Sequence, residues 1–90
     1  MKKSVTITDL TRMREKRVCV AGYLSDKTCV RPVFNVGDLT EDWLMIGKRV
    51  IRPFSIIELD LKRNIRKPPH TEDWIIDPSY RLYKGKWLLS

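Results

Sequence analysis

The sequence lacks any long hydrophobic run, and no apolar stretch approaches the length of a membrane span. A membrane-spanning helix needs about 20 successive apolar residues, so no segment qualifies as one. Residues 1–4 lead into alternating residues instead of an apolar block, which does not fit a secretory signal. We therefore predict a cytoplasmic protein without a membrane partner.

Residues that bind metals or act as nucleophiles are scarce: there is one histidine, His70, and two cysteines, Cys19 and Cys29. A disulfide framework needs more cysteines and an oxidising compartment, so we expect buried free thiols. A metal site would have to assemble these three residues from three separate segments, without any paired ligand spacing. Both cysteines lie in apolar strand context, which raises a thiol pKa and suppresses reactivity. The residues favour a non-catalytic protein that holds no metal and no cofactor.

The glycines and the acidic residues are also few. The four glycines are scattered and form neither a phosphate loop nor a dinucleotide fingerprint. Eleven Asp and Glu stand against 18 Lys and Arg, which gives a net charge of +7. This excess favours an anionic partner, and nucleic acid is the commonest one. The alternative is that the charge only keeps a small domain soluble.

The length and composition are those of one soluble globular domain. The 90 residues predict a single domain spanning 1–90, and 42% apolar with 32% charged residues is an ordinary balance. A core of this size is small but sufficient, because domains of about 60 residues fold alone.

The chain is organised around residues 17–34, which read as a β-hairpin. A nearly continuous apolar run at 18–21 predicts a strand, a polar turn follows at 25–27, and 28–33 predicts the second strand. In the resulting register Tyr23 faces Cys29, and Arg31 projects from the same face as both cysteines. Arg31 would read a phosphate or stack on a base. The commoner alternative is a stem lying on apolar surface with its charged head in water.

The other predicted elements are short. Residues 50–62 alternate and predict a half-buried strand, with Pro53 at an edge or bulge. Residues 39–46 predict a helix that places Trp43 in the core. The remaining predictions are strands at 5–7 and 75–76, a helix at 10–14, and a terminal hairpin whose arms are residues 80–83 and 87–89 around a turn at 84–86.

Short strands separated by turn signals are typical of a barrel, whose closure also removes free sheet edges. We predict a small, mainly β fold: an OB-like barrel of five or six strands with one or two short helices. An SH3-like barrel is the alternative.

Arginine and aromatic residues interleaved on a sheet face are typical of single-stranded nucleic-acid sites. Residues 50–62 place Arg52 and Phe54 on one such face, although a covering strand would explain the phenylalanine equally well. We predict a nucleic-acid-binding module. Its predicted phosphate or base contacts are Arg31 and Arg52, its stacking rings are Tyr23, Phe54 and Trp74, and its basic or polar rim is Arg12, Arg14, Arg63, Arg66, Lys67 and His70.

The order of three short motifs resembles a known family. They are Cys-Val-Ala-Gly at 19–22, Arg31-Pro32, and His-Thr-Glu-Asp-Trp at 70–74. Together they resemble the dual OB-containing domain, found in prokaryotic proteins, over about residues 5–76. The resemblance implies an OB-like barrel with a nucleic-acid or nucleotide ligand, and it supplies no catalytic residues.

Two other functions compete with nucleic-acid binding. The chain would be a protein-interaction or oligomerisation module if exposed edges near Pro32 and Pro53 paired with a partner strand. It would hold a small molecule such as a nucleotide if His70, Glu72 and Arg31 met in one pocket.

Overall fold

The computed structural model describes residues 1–67 and 70–87, without the side chains of residues 66, 67, 70 and 71. Its strands, in chain order, are β1 (Lys2–Arg12), β2 (Val18–Tyr23), β3 (Cys29–Val33), β4 (Met45–Ile46), β5 (Arg49–Val50), β6 (Ser55–Lys67) and β7 (His70–Lys86). Five of them close into one barrel in the order β1-β2-β3-β7-β6, and β4 with β5 forms a separate small hairpin. The predicted mainly β barrel is confirmed.

The barrel is mixed, because one of its five strand pairs is parallel. β1 pairs antiparallel with both β2 and β6, β2 with β3, and β6 with β7. β3 and β7 run in parallel, with Arg31 beside Asp73, Pro32 beside Trp74 and Val33 beside Ile75. Pro32 therefore lies inside the closed barrel and not at the exposed edge considered for a partner strand.

Alternation along the strands fills the barrel. Successive side chains of a strand point to opposite faces, so every second residue of β1, β2 and β6 is directed inward. The residues that pack the interior are fully or almost fully buried: Val5, Ile7, Val18, Val20, Val30, Ile57, Leu59, Leu61 and Ile76, closed off by Leu39, Trp43, Leu44 and Ile51. The half-buried strand predicted from alternation is therefore confirmed from residue 55 onward, where Ser55, Ile57, Leu59 and Leu61 are buried.

The helix predicted at residues 10–14 is wrong. β1 continues through this segment, since Leu10, Thr11 and Arg12 pair with Val20, Cys19 and Val18 of β2. A helix of five residues is marginal by itself, and the ladder to β2 offers its backbone long-range partners instead. Only a 3-10 turn, Arg14–Lys16, follows the strand.

The helix predicted at residues 39–46 is present only as a 3-10 helix, Glu41–Leu44. Trp43 is buried there, as predicted. In the part of the chain that the structure describes, the helices are this one and the Arg14–Lys16 turn; both are 3-10 and neither is an α-helix. Neither has the length or apolar character that crossing a membrane would require.

Two strand boundaries differ from the predictions. β6 begins at Ser55 and not at residue 50, because Pro53 has no amide hydrogen for a ladder and residues 52–54 turn instead. The terminal hairpin is not formed among the described residues. β7 continues through Lys86, and its last residues pair with β6: Gly85 lies opposite Ile56, and Lys86 lies opposite Ser55. Residues 88–89 of the predicted hairpin lie outside the described residues.

Gly22 marks a close backbone approach between β2 and β1, where it pairs with Ile7. A Cβ atom at this position would lie 2.2 Å from the Thr6 carbonyl oxygen and 2.9 Å from Val5 Cγ1. Real Cβ atoms do not approach backbone this closely, so only glycine allows the two strands to pair here.

We expect Gly22→Ala to lower the free energy of unfolding by about 3 kcal/mol or more, because the clash is with backbone that cannot rotate away. The control is Gly37→Ala, where a Cβ has open space and only the positive φ of 82° opposes it; its cost is about 1 kcal/mol. Urea unfolding followed by circular dichroism measures both variants. Equal losses in the two variants would contradict the close approach.

Candidate nucleic-acid interface

The outward side chains of β2 and β3 form a continuous surface, which we call the outer face. Tyr23 pairs with Cys29, as predicted from the sequence, and Gly22 pairs with Val30. Since alternate residues share a side, the face is defined by six residues. They are Cys19, Ala21 and Tyr23 from β2 and Cys29, Arg31 and Val33 from β3.

Arg31 is held by a bidentate ion pair with Asp73 of β7. Its Nε donates to Asp73 Oδ1 at 2.6 Å and its Nη2 donates to Asp73 Oδ2 at 2.8 Å. The side chains are 27% and 17% exposed. The hydrogen bonds that Arg31 donates to Asp73 raise the pKa of Arg31 against the opposing effect of burial. Arg31 is therefore a permanently charged group of fixed orientation, which neither interpretation of the sequence anticipated.

Three exposed rings lie together at one end of the outer face, and we call them the aromatic surface: Tyr23, Phe54 and Trp87. They are 44%, 48% and 47% exposed. The rings of Phe54 and Trp87 are stacked, with centroids 6.1 Å apart and planes at 30°. All three line an open recess of about 270 Å³ whose other walls are Thr6, Thr8, Leu24 and Lys27.

The position of Phe54 is set by a strained turn. Its φ is +74°, a left-handed conformation that costs a non-glycine residue about 1 kcal/mol. The Phe54 amide donates to the Ile7 carbonyl of β1, and its carbonyl accepts from the Trp87 amide at 2.8 Å. The Ser55 hydroxyl also accepts from the Arg52 amide at 2.9 Å. Strain of this kind persists where neighbours over-determine the backbone, and it is a reason to suspect function.

A smaller recess of about 120 Å³ lies at the other end of the outer face, and we call it the Arg31 recess. Its polar groups come from Arg31, Cys19 and Asp38. Its remaining walls are Met13, Val18, Pro32, Val33, Phe34, Gly37 and Leu39. The recess lies between β2, β3 and the chain segment that follows β3.

Carboxylates surround the centre of the outer face. The pKa of Cys29 is raised, first by burial and then by the charges of Glu72 and Asp9; the charge of Arg31 and a hydrogen bond with Tyr23 act in the opposite direction. Arg31 is already neutralised by Asp73. A phosphate is therefore disfavoured at the centre, and attraction for anions comes from the margins of the face.

The family model of the dual OB-containing domain matches residues 3–89. The chain belongs to this family. The resemblance noted at residues 19–22, 31–32 and 70–74 is thereby confirmed, and the closed five-stranded barrel is that of an OB-containing domain, in place of the SH3-like alternative. Searches of curated proteins and of solved structures found no match. OB barrels in general bind oligonucleotides and oligosaccharides on the face of strands 2 and 3, which here is the outer face.

The predicted contact residues of this OB-containing domain fall into several groups. Tyr23 and Phe54 meet at the aromatic surface, and Arg52 is exposed in the turn that carries Phe54. Arg31 lies on the same face but in an ion pair. Trp74 is half-buried and packs against the core, so its predicted stacking role stays a prediction.

The predicted basic rim is dispersed in the OB-containing domain. Arg12 Nη1 donates to Glu41 Oε1 at 2.6 Å, and Arg14 is exposed in the 3-10 turn. Arg63 is exposed on β6, opposite Ile75 of β7. The side chains of Arg66, Lys67 and His70 lie outside the described residues, so the proposed pocket of His70, Glu72 and Arg31 stays a prediction.

Trp87 is the site residue that sequence reasoning missed. It was assigned to a terminal hairpin arm, whereas β7 runs on through Lys86 and brings Trp87 beside Phe54. An exposed tryptophan after a Lys-Gly-Lys turn signal carries no indication of its distant neighbour, residue 54. Among the described side chains, no group of three His, Cys, Asp or Glu residues is arranged to hold a metal ion.

We expect Arg31→Met to lower the free energy of unfolding by about 2 kcal/mol, because Asp73 is left charged and unpaired in a mostly buried position. The double variant Arg31→Met with Asp73→Leu removes both charges and should recover more than half of the loss. Chemical denaturation of the three proteins measures this. If Arg31→Met were as stable as the parent, the ion pair would not exist in solution.

We expect Cys29 to be a slow nucleophile, because burial and the nearby carboxylates raise its pKa and keep the thiol protonated at neutral pH. In a Cys19→Ser background, alkylation by iodoacetamide should be slower than in the urea-unfolded chain from about pH 7 to 9. The alkylation rate increases as the thiol ionises, and this increase should occur at a higher pH in the folded protein than in the unfolded chain. Faster alkylation of the folded protein would show that the thiolate is stabilised instead.

Proposed function

We propose that this OB-containing domain binds single-stranded nucleic acid along its outer face, with bases stacked on the aromatic surface. The observation that carries the proposal is the grouping of Tyr23, Phe54 and Trp87, each about half exposed, around one recess. Bases have two flat apolar faces, and aromatic side chains that stack on them contribute about 1–3 kcal/mol per base.

The surrounding charges support an anionic ligand. Lys27 lines the recess, Lys86 precedes Trp87, and Arg52 belongs to the turn of Phe54. The chain as a whole carries +7. An apolar patch of this kind without cations would favour a protein partner instead, since exposed hydrophobic patches commonly mark protein interfaces.

Two features support a single strand over a duplex. Stacking on a protein ring requires bases that are free of their own helix, as in a single strand. The carboxylates of Asp9, Glu72 and Asp73 near the centre of the outer face oppose phosphates there. A single strand can turn its bases toward the protein and keep its phosphates near the cationic margin.

We expect Trp87→Ala and Phe54→Gly each to weaken binding of an oligothymidine of about 12 nucleotides roughly tenfold. Each change removes one ring, and glycine at position 54 also relieves the positive φ. Leu82→Ala is the matched control, because Leu82 is equally exposed but pairs with Glu58 on a different part of the barrel. Fluorescence anisotropy of a labelled oligonucleotide gives the three affinities.

Affinity for the parent protein should also fall steeply as salt is raised from about 50 to 200 mM, as counterion release requires. An absence of binding at the lower salt concentration would refute the proposal. Equal losses in Leu82→Ala and Trp87→Ala would move the contact away from the aromatic surface.

A further inference from the structure

The ion pair with Asp73 leaves a defined part of Arg31 unused. A planar guanidinium has five N–H donors, and Asp73 takes one on Nε and one on Nη2. Among the residues that the structure describes, one N–H of Nη2 and both N–H groups of Nη1 have no hydrogen-bond partner. These N–H groups lie on the Nη1–Nη2 edge of the guanidinium. Arg31 therefore offers a second edge for bidentate hydrogen bonding, and its orientation is fixed by the pairing with Asp73.

The Arg31 recess has the walls of a site for the edge of one flat base. Its volume is about 120 Å³, less than the roughly 150 Å³ of apolar cavities that admit a whole benzene ring, and because it is open to solvent a larger planar base can enter it by one edge. Met13 and Phe34 contribute adaptable and aromatic surface to its walls. Asp38 adds a carboxylate that is 62% exposed; its Oδ2 forms a long, exposed ion pair with Arg17 Nη1 at 3.5 Å, and a charged carboxylate has further lone pairs that can accept from a base.

We propose that the Arg31 recess binds a guanine base of the single strand. The proposal rests on the proposed function and adds a base preference to it. The free edge of Arg31 donates to O6 and N7 of guanine, which present two adjacent acceptors. The carboxylate of Asp38 accepts from the amino group and N1–H on the opposite edge of the same base.

The same groups disfavour the other bases and a phosphate. Adenine places its N6 amino group, a donor, where guanine has the O6 acceptor, so one donor of Arg31 would face another donor. A pyrimidine has no N7. A phosphate would accept from Arg31 but would share the recess with the Asp38 carboxylate and would feel the negative charges of Glu72 and Asp73.

The recess and the aromatic surface can be occupied by one strand. Tyr23 and Cys19 lie on the same side of β2, four residues apart, which corresponds to about 13 Å. OB folds cover about 4–16 nucleotides, so a short strand reaches both places. The guanine is therefore a specific contact beside a stacking contact that accepts any base.

The experiment compares oligothymidine with oligomers that carry one guanine or one adenine at successive positions. We expect guanine at one position to tighten binding about tenfold or more, and adenine there to give no gain. In that oligomer, 7-deazaguanine removes N7 and hypoxanthine removes the 2-amino group. Each replacement should abolish most of the gain.

Two variants assign the contacts to residues. Arg31→Lys keeps the positive charge but removes the planar pair of N–H donors. It should abolish the preference for guanine while oligothymidine binding remains. Asp38→Asn should bring guanine and hypoxanthine to the same affinity, by removing most of the gain for guanine, and this exposed change leaves the fold intact if Arg31→Lys does not. Asp42→Asn, the same change at another exposed acid, should alter neither.

The outcomes separate the two proposals. If oligothymidine binds and guanine at no position improves affinity, the guanine site is refuted and the single-strand proposal stands. The guanine site would also be refuted if the gain in affinity remained after guanine was replaced by 7-deazaguanine and by hypoxanthine. The same holds if the gain depended on a terminal phosphate of the oligomer and not on guanine. If no oligonucleotide binds, the proposed function fails, and the guanine site with it.

Discussion

The parallel pairing of β3 with β7 is the constraint on which the rest of the structure depends. The other four strand pairs are antiparallel, so this one closes the barrel and returns a distant part of the chain to the β2–β3 hairpin. It places Asp73 beside Arg31, and the bidentate ion pair then spans the closing contact. Without this pairing, β3 would be an exposed edge, and the outer face would lose its one oriented cation.

A second constraint holds the opposite end of the outer face. Phe54 lies in a left-handed conformation, between a hydrogen bond to β1 and one from Trp87. Because Pro53 cannot join a ladder, the chain turns here before β6 begins, and the turn directs a large apolar ring outward. The strained backbone and the exposed ring coincide with Trp87 and Tyr23, which gives the molecule a localised apolar surface.

Only part of the net charge of +7 is available to attract a ligand. Several of the basic residues are engaged within the protein: Arg12 pairs with Glu41, Arg17 with Asp38, Arg31 with Asp73 and Lys62 with Asp60. Carboxylates of β1 and β7 also lie near the centre of the outer face, where they raise the pKa of Cys29. Charge therefore contributes to long-range attraction, whereas the specific contacts that we propose depend on rings and on one oriented guanidinium.

Much of the architecture follows from local pattern. The alternation of β6, the hairpin register of Tyr23 with Cys29 and the burial of Trp43 all follow from side-chain periodicity and turn chemistry, which act between near neighbours in sequence. The errors occur where distant segments compete with local preference. Residues 10–12 pair with β2 instead of forming a helix, and β7 passes through the Lys-Gly-Lys turn signal because β6 offers it a ladder.

By itself the sequence determined the fold class, the hairpin and the choice of Tyr23, Phe54 and Arg52 as candidate contacts, because composition and period are properties of short windows. Only the tertiary structure decided that Arg31 is paired with Asp73, that Trp87 joins Phe54, and that Trp74 is half-buried. These are contacts between residues far apart in the chain. They follow from how the barrel closes, and no local pattern encodes the partner that closure brings to each side chain.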